Sequence, residues 1–306
     1  MVSFKPALIT AFTVLLVTKS AYANGDKKEE LKKKADETNK KIKTETPKTC
    51  KPVTDYVPAR CTSYLNKLKD KEAEKDYMDE KKKELNEKKK KVEDAIAKLV
   101  HEEKPEGKPA EQPNIQEAKV PVTDEEYANR MAEASTAITE LKTLADEVYR
   151  KVHSSLSGDE ANTFEHDDRK LKAEMLVKSL NAFDSIITPI TTDELIKDNE
   201  DVKKMKEAFD EQKKKVEALK PKVEKKDEDY NSHLKDMIAE ANGAAEEVKK
   251  ILDTLVSSRK EKEVEVNEAF FSNLSTLIDD VIATSKAHIP KIVLTLLTTI
   301  GLAAFV

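Results

Sequence analysis

Residues 230–255 read YNSHLKDMIAEANGAAEEVKKILDTL. Within this stretch Tyr230, Leu234, Met237, Ala241, Ala244, Val248, Ile251 and Leu255 recur at alternating steps of four and three. That is the period of one helix face, and a seam this narrow calls for a second helix to cover it. The pattern repeats on the N-terminal side. Thr123 with Glu126 forms a capping box, and Tyr127, Met131, Ala134, Ile138, Leu141, Ala145, Val148 and Val152 follow it. Ser157 with Glu160 is expected to cap the next helix, which carries Phe164, Leu171, Met175, Leu176, Leu180, Phe183 and Ile187 and is ended by Pro189. Thr191 with Glu194 is expected to cap another, with Val202, Met205, Phe209, Gln212, Val216 and Leu219, interrupted at Pro221. Phe270, Phe271, Leu274, Leu277, Ile278, Val281 and Ile282 mark a last segment.

These seams predict an all-α fold, an elongated bundle of long heptad-patterned helices with no β-sheet, five of them between Thr123 and about Ala283. Composition agrees. Charged residues make up 38% of the chain, Gly occurs 5 times and Trp not at all, which leaves few turn glycines and no strand-like alternation for a sheet.

N-terminal to this body the chain reads differently. Asp26–Lys43 is a short, highly charged helix candidate with few apolar anchors. Cys50 and Cys61 follow with Pro47, Pro52 and Pro58 around them, and the prolines predict a break in any helix there. In a secreted chain, such a pair reads as a disulfide closing a small loop. Thr62–His101 lacks Pro and Gly and is expected to form one long helix with a thin seam at Met78, Leu85, Val92 and Leu99. Pro105, Gly107, Pro109, Pro113 and Pro121 then mark a linker. Residues 24–102 carry 23 Lys/Arg against 18 Asp/Glu, a net charge of +5 within a chain of −5. Lys81–Lys83 and Lys88–Lys91 are the densest basic stretches and the candidate contacts for an acidic glycan. A solvated lysine-rich face is the plainer reading of them.

Both ends are apolar. Lys5, the run Ala7–Val17 and the small residues at Ala21–Ala23 have the order of a secretory signal peptide over residues 1–23. Ile292–Val306 is a second apolar run, preceded by the small residues Ala283, Thr284 and Ser285 and the spacer Lys286–Lys291. This is the order of a signal for glycosylphosphatidylinositol (GPI) anchoring, over residues 286–306. Ser285 and Ala283 are candidate attachment residues, and Asn273 is a third. A membrane helix is the alternative, but 15 residues span only about 22 Å where a bilayer core needs about 30 Å. A buried core helix is the remaining alternative. The expected division is therefore signal peptide 1–23, lysine-rich helical region 24–102 with the Cys50–Cys61 loop, Pro-rich linker 103–122, helical bundle 123–285 and anchor signal 286–306.

Enzyme chemistry is hard to place. His101, His153, His166, His233 and His288 are scattered, HExxH is absent, and there is neither a Gly-rich phosphate loop nor a GxSxG elbow. His166–Asp168 is the densest cluster of ligand types and reads as a solvated first turn. Asp198–Asp201 lacks the spacing of a calcium loop. No catalytic, metal or cofactor residue is expected. Asn273-Leu274-Ser275 is a glycosylation sequon.

The start Met1-Val2-Ser3-Phe4, the two terminal signals and a Lys/Glu-rich helical body with few cysteines resemble the merozoite surface antigens of babesial parasites. The resemblance implies a GPI-anchored coat protein on the outer leaflet of the plasma membrane. It also implies initial attachment to host erythrocytes, through a surface receptor or an acidic glycan, and recognition by host antibodies. No catalytic or binding residue carries over from it. The alternatives are a structural spacer that self-assembles into homo-oligomers and, third, a bundle carrying a small hydrophobic ligand. Nucleic acid is excluded as a partner by the compartment.

Overall fold

The computed structural model describes residues 7–100, 122–225 and 230–286. The described residues form seven α-helices, one short 3-10 helix and no strand: α1 (Ala7–Asn66), α2 (Lys75–Val100), α3 (Asp124–Ser155), α4 (Gly158–Thr191), α5 (Glu200–Val223), α6 (Tyr230–Glu261) and α7 (Glu268–Lys286). The five helices expected between Thr123 and Ala283 are α3 to α7. The segment 103–121 and the tail beyond Lys286 lie outside the described residues, as does His101.

The N-terminal region differs from expectation. Asp26–Lys43 and the Cys50–Cys61 stretch are parts of one helix, α1, which runs through Pro47, Pro52 and Pro58. A proline inside a helix frees the carbonyl four residues earlier. For Pro47 that carbonyl belongs to Lys43, and the Tyr127 hydroxyl of α3 donates to it at 2.7 Å. Pro52 and Pro58 are themselves buried against neighbouring helices. Tertiary contacts thus hold a helix that local propensity would break.

The disulfide is corrected for the same reason. Cys50 and Cys61 are free and fully buried. At a rise of about 1.5 Å per residue, one straight helix sets them about 16 Å apart, whereas a disulfide needs Cα atoms within about 7 Å. Burial pushes both thiols up to about 12.

The expected single helix Thr62–His101 is instead a hairpin. The chain leaves α1 at Asn66, turns through bonds such as Lys71 N–H to Leu68 O at 3.0 Å, and re-enters as α2. Leu65 and Leu68 are fully buried in this corner, a gain that one straight helix would forgo. The seam of α2 is as expected: Met78, Leu85, Val92 and Leu99 are all buried.

In the main body Thr123 caps α3 by accepting from the Glu126 N–H. Ser157 makes no side-chain cap, and α4 begins at Gly158, whose φ of +56° suits glycine. Pro189 does not end α4, which continues to Thr191. The cap of α5 is Asn199, accepting from the N–H groups of Asp201 and Val202, so the expected Thr191–Glu194 box is displaced. Leu171 lies half-buried at the edge of the stripe of α4.

Buried apolar residues from α1 through α7 form one continuous core. α4 touches α1, α5, α6 and α7; α7 touches α1, α3, α4 and α6. α2 lies outside, on α1 and α3, and α5 outside on α4 and α6. Helices α1 and α2 therefore pack on the main bundle. α3 and α6, at 32 residues each, are about 48 Å long, and α4, at 34, is slightly longer. At one end of this rod meet the early part of α1, the starts of α3 and α7, and the ends of α2 and α6. Lys43 donates there to Val122 O (2.7 Å) and Arg130 to Lys98 O (2.6 Å). At the other end meet the end of α1, the starts of α2 and α4, and the ends of α3 and α5, while the shorter α7 stops midway, with Thr284 against Met175 of α4. Here His166 Nε2 bonds Glu224 O at 3.0 Å and the Lys71 ammonium bonds Ser155 O.

Candidate functional site

Two buried charge clusters fasten α1 to the bundle. In α1, Arg60 and Tyr64 are four residues apart and share a face; in α4, Asp168 and Lys172 do the same. The two pairs mate. Arg60 Nε lies 3.0 Å from Asp168 Oδ1, and Lys172 Nζ lies 2.6 Å from Asp168 Oδ2. The Tyr64 hydroxyl accepts from Arg60 Nε at 3.0 Å and donates to Asp168. Arg60 Nη1 reaches a third helix and donates to the Thr284 carbonyl in the last turn of α7, at 2.9 Å. Tyr149 and Phe164 wall the cluster, with Tyr64 5.0 Å from Phe164 and Lys172 5.3 Å over the Tyr149 ring. Arg60 and Lys172 are each only 1% exposed and Asp168 2%.

Burial works against ionising Asp168, but Lys172 and Arg60 overcome it and hold the carboxyl below its usual range. Burial lowers Lys172, against the pull of Asp168. Burial also raises the Tyr64 hydroxyl well above its ordinary value, which keeps it a donor. Asp168 was expected in a solvated first turn; it is instead the centre of the cluster. Of its two neighbours, His166 is buried on Glu224 O, and Asp167 alone is open to solvent, 3.8 Å from Lys67.

The second cluster sits at the other end of the rod. Arg259, fully buried near the end of α6, donates to Asn39 Oδ1 (2.8 Å) and Ala35 O (3.2 Å) in α1 and pairs with Asp193 at 3.4 Å. Its guanidinium also lies 5.5 Å from the Phe271 ring centroid. Burial lowers its pKa against the pull of Asp193. The charged side chains of both clusters face inward: Arg60 and Lys172 are 1% exposed and Arg259 is fully buried.

The outer lysines of α2 are largely engaged. Lys98–Glu133 (2.7 Å), Lys91–Glu140 (3.2 Å), Lys88–Glu140 (2.7 Å) and Lys81–Glu147 (2.9 Å) form a ladder to α3, continued by Lys151 to Glu74 (2.8 Å). The α3 glutamates Glu133, Glu140 and Glu147 are seven residues apart, so the ladder matches the antiparallel register that the apolar seams of the two helices share. Among the described residues Lys82, Lys83 and Lys90 carry no ion pair, and of the two basic stretches these three remain for an acidic ligand.

The remaining candidates are placed as follows. Asn273 donates through Nδ2 to Ala128 O at 2.8 Å, so a glycan there would displace a bond between α7 and α3. Ala283 is half-buried and Ser285 fully buried in the last turns of α7. Among the described residues no group of three or more His, Cys, Asp or Glu side chains is placed to hold a metal ion. No described helix is long and apolar enough to cross a membrane. No known protein family, curated protein or solved structure matches this chain.

Proposed function

We propose that the chain is a GPI-anchored surface antigen, tethered by the end of α7 and presenting the opposite end of its helical rod. One observation carries the reading. α7 runs away from the α6–α7 connection and the starts of α3 and α5, and ends just before the apolar residues 292–306, with Thr284 against Met175 in the middle of α4. A tether at the end of α7, a helix of 19 residues, would hold these connections about 28 Å from the anchor point, where loops on a rigid scaffold meet partners first.

The role that follows is a coat protein contributing to attachment to host erythrocytes and recognised by host antibody, as the likeness to babesial merozoite antigens implies. The Cys50–Cys61 stretch is part of α1, with both thiols buried, and offers no loop to a partner. An acidic glycan would be met by Lys82, Lys83 and Lys90. The test is release of the full-length protein from an expressing cell by phosphatidylinositol-specific phospholipase C, followed by binding of the released protein to erythrocytes. Release and saturable binding support the reading. Release without binding, with antibodies leaving invasion unchanged, reduces it to a coat role; retention on the cell overturns the anchored reading.

A further inference from the structure

The three candidate attachment residues differ in how much of α7 each would leave in the mature protein. Anchor addition cuts the chain after the attachment residue. A cut after Asn273 would delete Leu274, Leu277, Ile278, Val281 and Ile282, every one at most 1% exposed. It would remove the half of α7 that closes the core between α1, α3 and α4. A cut after Ala283 would spare these residues but delete Thr284. The carbonyl of Thr284 accepts from Arg60 at 2.9 Å, and its hydroxyl bonds Val281 O at 2.6 Å and lies 3.5 Å from Met175 Sδ. Losing it would strip a buried guanidinium of its partner on α7, in a cluster where every donor is desolvated. A cut after Ser285 keeps all of this. Ser285 is fully buried, and its hydroxyl has no partner among the described residues.

We infer that Ser285 is the residue that carries the anchor, a conclusion that rests on the lipid-anchored reading above. The small-residue rule alone favours Ala283, because Thr284 and Ser285 follow it, whereas Ser285 is followed by Lys286 and Ala287. The rule describes what the transferring enzyme accepts; the fold adds what the product must keep. In the transfer the Ser285–Lys286 amide breaks and the Lys286 nitrogen leaves as a free amine, taking one proton. The Ser285 carbonyl forms a new amide with the primary amine of an ethanolamine-phosphate glycolipid, which gives up one proton. The transfer must precede docking of the last turn of α7, since the folded bundle buries Ser285.

The experiment is mass spectrometry of the C-terminal tryptic peptide of the full chain expressed in a cell that attaches such anchors, after phospholipase release. The expected peptide begins at Glu263 and ends at Ser285 with an ethanolamine-phosphate glycan remnant. A remnant on Ala283, Asn273 or any other residue overturns the assignment and leaves the anchored reading standing. An unmodified peptide Glu263–Lys286 recovered together with the peptide Ile292–Val306, with no release, overturns the anchored reading itself and the assignment with it.

Discussion

α7 and α2 are docked on the same bundle by different means. α7, at 19 residues, buries seven large apolar side chains: Phe270, Phe271, Leu274, Leu277, Ile278, Val281 and Ile282. α2, at 26 residues, buries four, one per heptad, and adds the ladder of lysines to α3. Each buried side chain stabilises by about 1.5–3 kcal/mol, whereas a half-exposed ion pair contributes less than about 1 kcal/mol and weakens with salt. α5 repeats the α2 arrangement with Val202, Phe209, Val216 and Val223, and closes on α6 where Gly243 leaves room for the Gln212 amide; a Cβ there would strike it. The bundle therefore has a tightly held centre, α4 with α7, and two helices on its flanks that can open without the rest. Width of the apolar stripe, rather than helix length or charge, decides which is which.

The strongest way to break this contrast is to attack the lock at the end of α7. Asp168→Ala leaves Arg60 and Lys172 buried without their counter-charge and is expected to cost about 3–5 kcal/mol in chemical denaturation. A loss under about 1 kcal/mol would show that the cluster does not hold α1 to α7. The same carboxylate makes the fold acid-sensitive. Its folded pKa lies below the unfolded value of about 3.9, so its contribution is present above about pH 4 and is lost as pH falls through the folded pKa.

Matched truncations sharpen the contrast next. Leu277→Ala in α7 and Leu85→Ala in α2 each remove a buried leucine, a change that costs about 2–5 kcal/mol where the whole fold feels it. Leu277→Ala is expected to lower global stability by that amount. Leu85→Ala is expected to raise hydrogen exchange across α2 while moving the global midpoint less. Equal midpoint shifts would erase the distinction between centre and flank.

Tyr127→Phe comes third. It leaves the Lys43 carbonyl freed by Pro47 without its donor, for about 1–3 kcal/mol measured by denaturation. An unchanged midpoint would mean that this bond is not what carries α1 past Pro47. The smallest effect is a gain. α6 ends with Glu263 at a φ of 53°, with Val264 N–H on Arg259 O (2.8 Å) and Glu263 N–H on Lys260 O (3.0 Å), a helix stop that favours glycine. Glu263→Gly is expected to stabilise by about 1 kcal/mol, read as a rise in thermal midpoint.

The parts of this fold that were legible in the sequence are those where periodicity and capping agree. The seams of α3, α6 and α7, the Thr123 cap and the α2 column at Met78, Leu85, Val92 and Leu99 stand where the heptads put them. The misreadings occur where tertiary contacts outweigh local signals. Prolines are strong local breakers, yet Pro47 is tolerated because Tyr127, from a distant helix, supplies the missing donor; no local window contains that fact. The charged core was half legible. Phe164, Asp168, Lys172 and Met175 follow one another at steps of four, four and three, which places an acid and a lysine on a buried stripe. Arg60 likewise falls between Val57 and Tyr64 on the stripe of α1. Reading only apolar residues as core hides such positions, and their burial becomes visible only once the opposite charge is seen to arrive from another helix.

The most direct test of this division is native-state hydrogen exchange on the full-length protein at low and at high salt. The account predicts that α7 amides exchange only through global unfolding. α2 amides should exchange through a smaller opening, whose free energy falls further as salt screens the ladder to α3. Protection of α2 equal to that of α7, unmoved by salt, would contradict it.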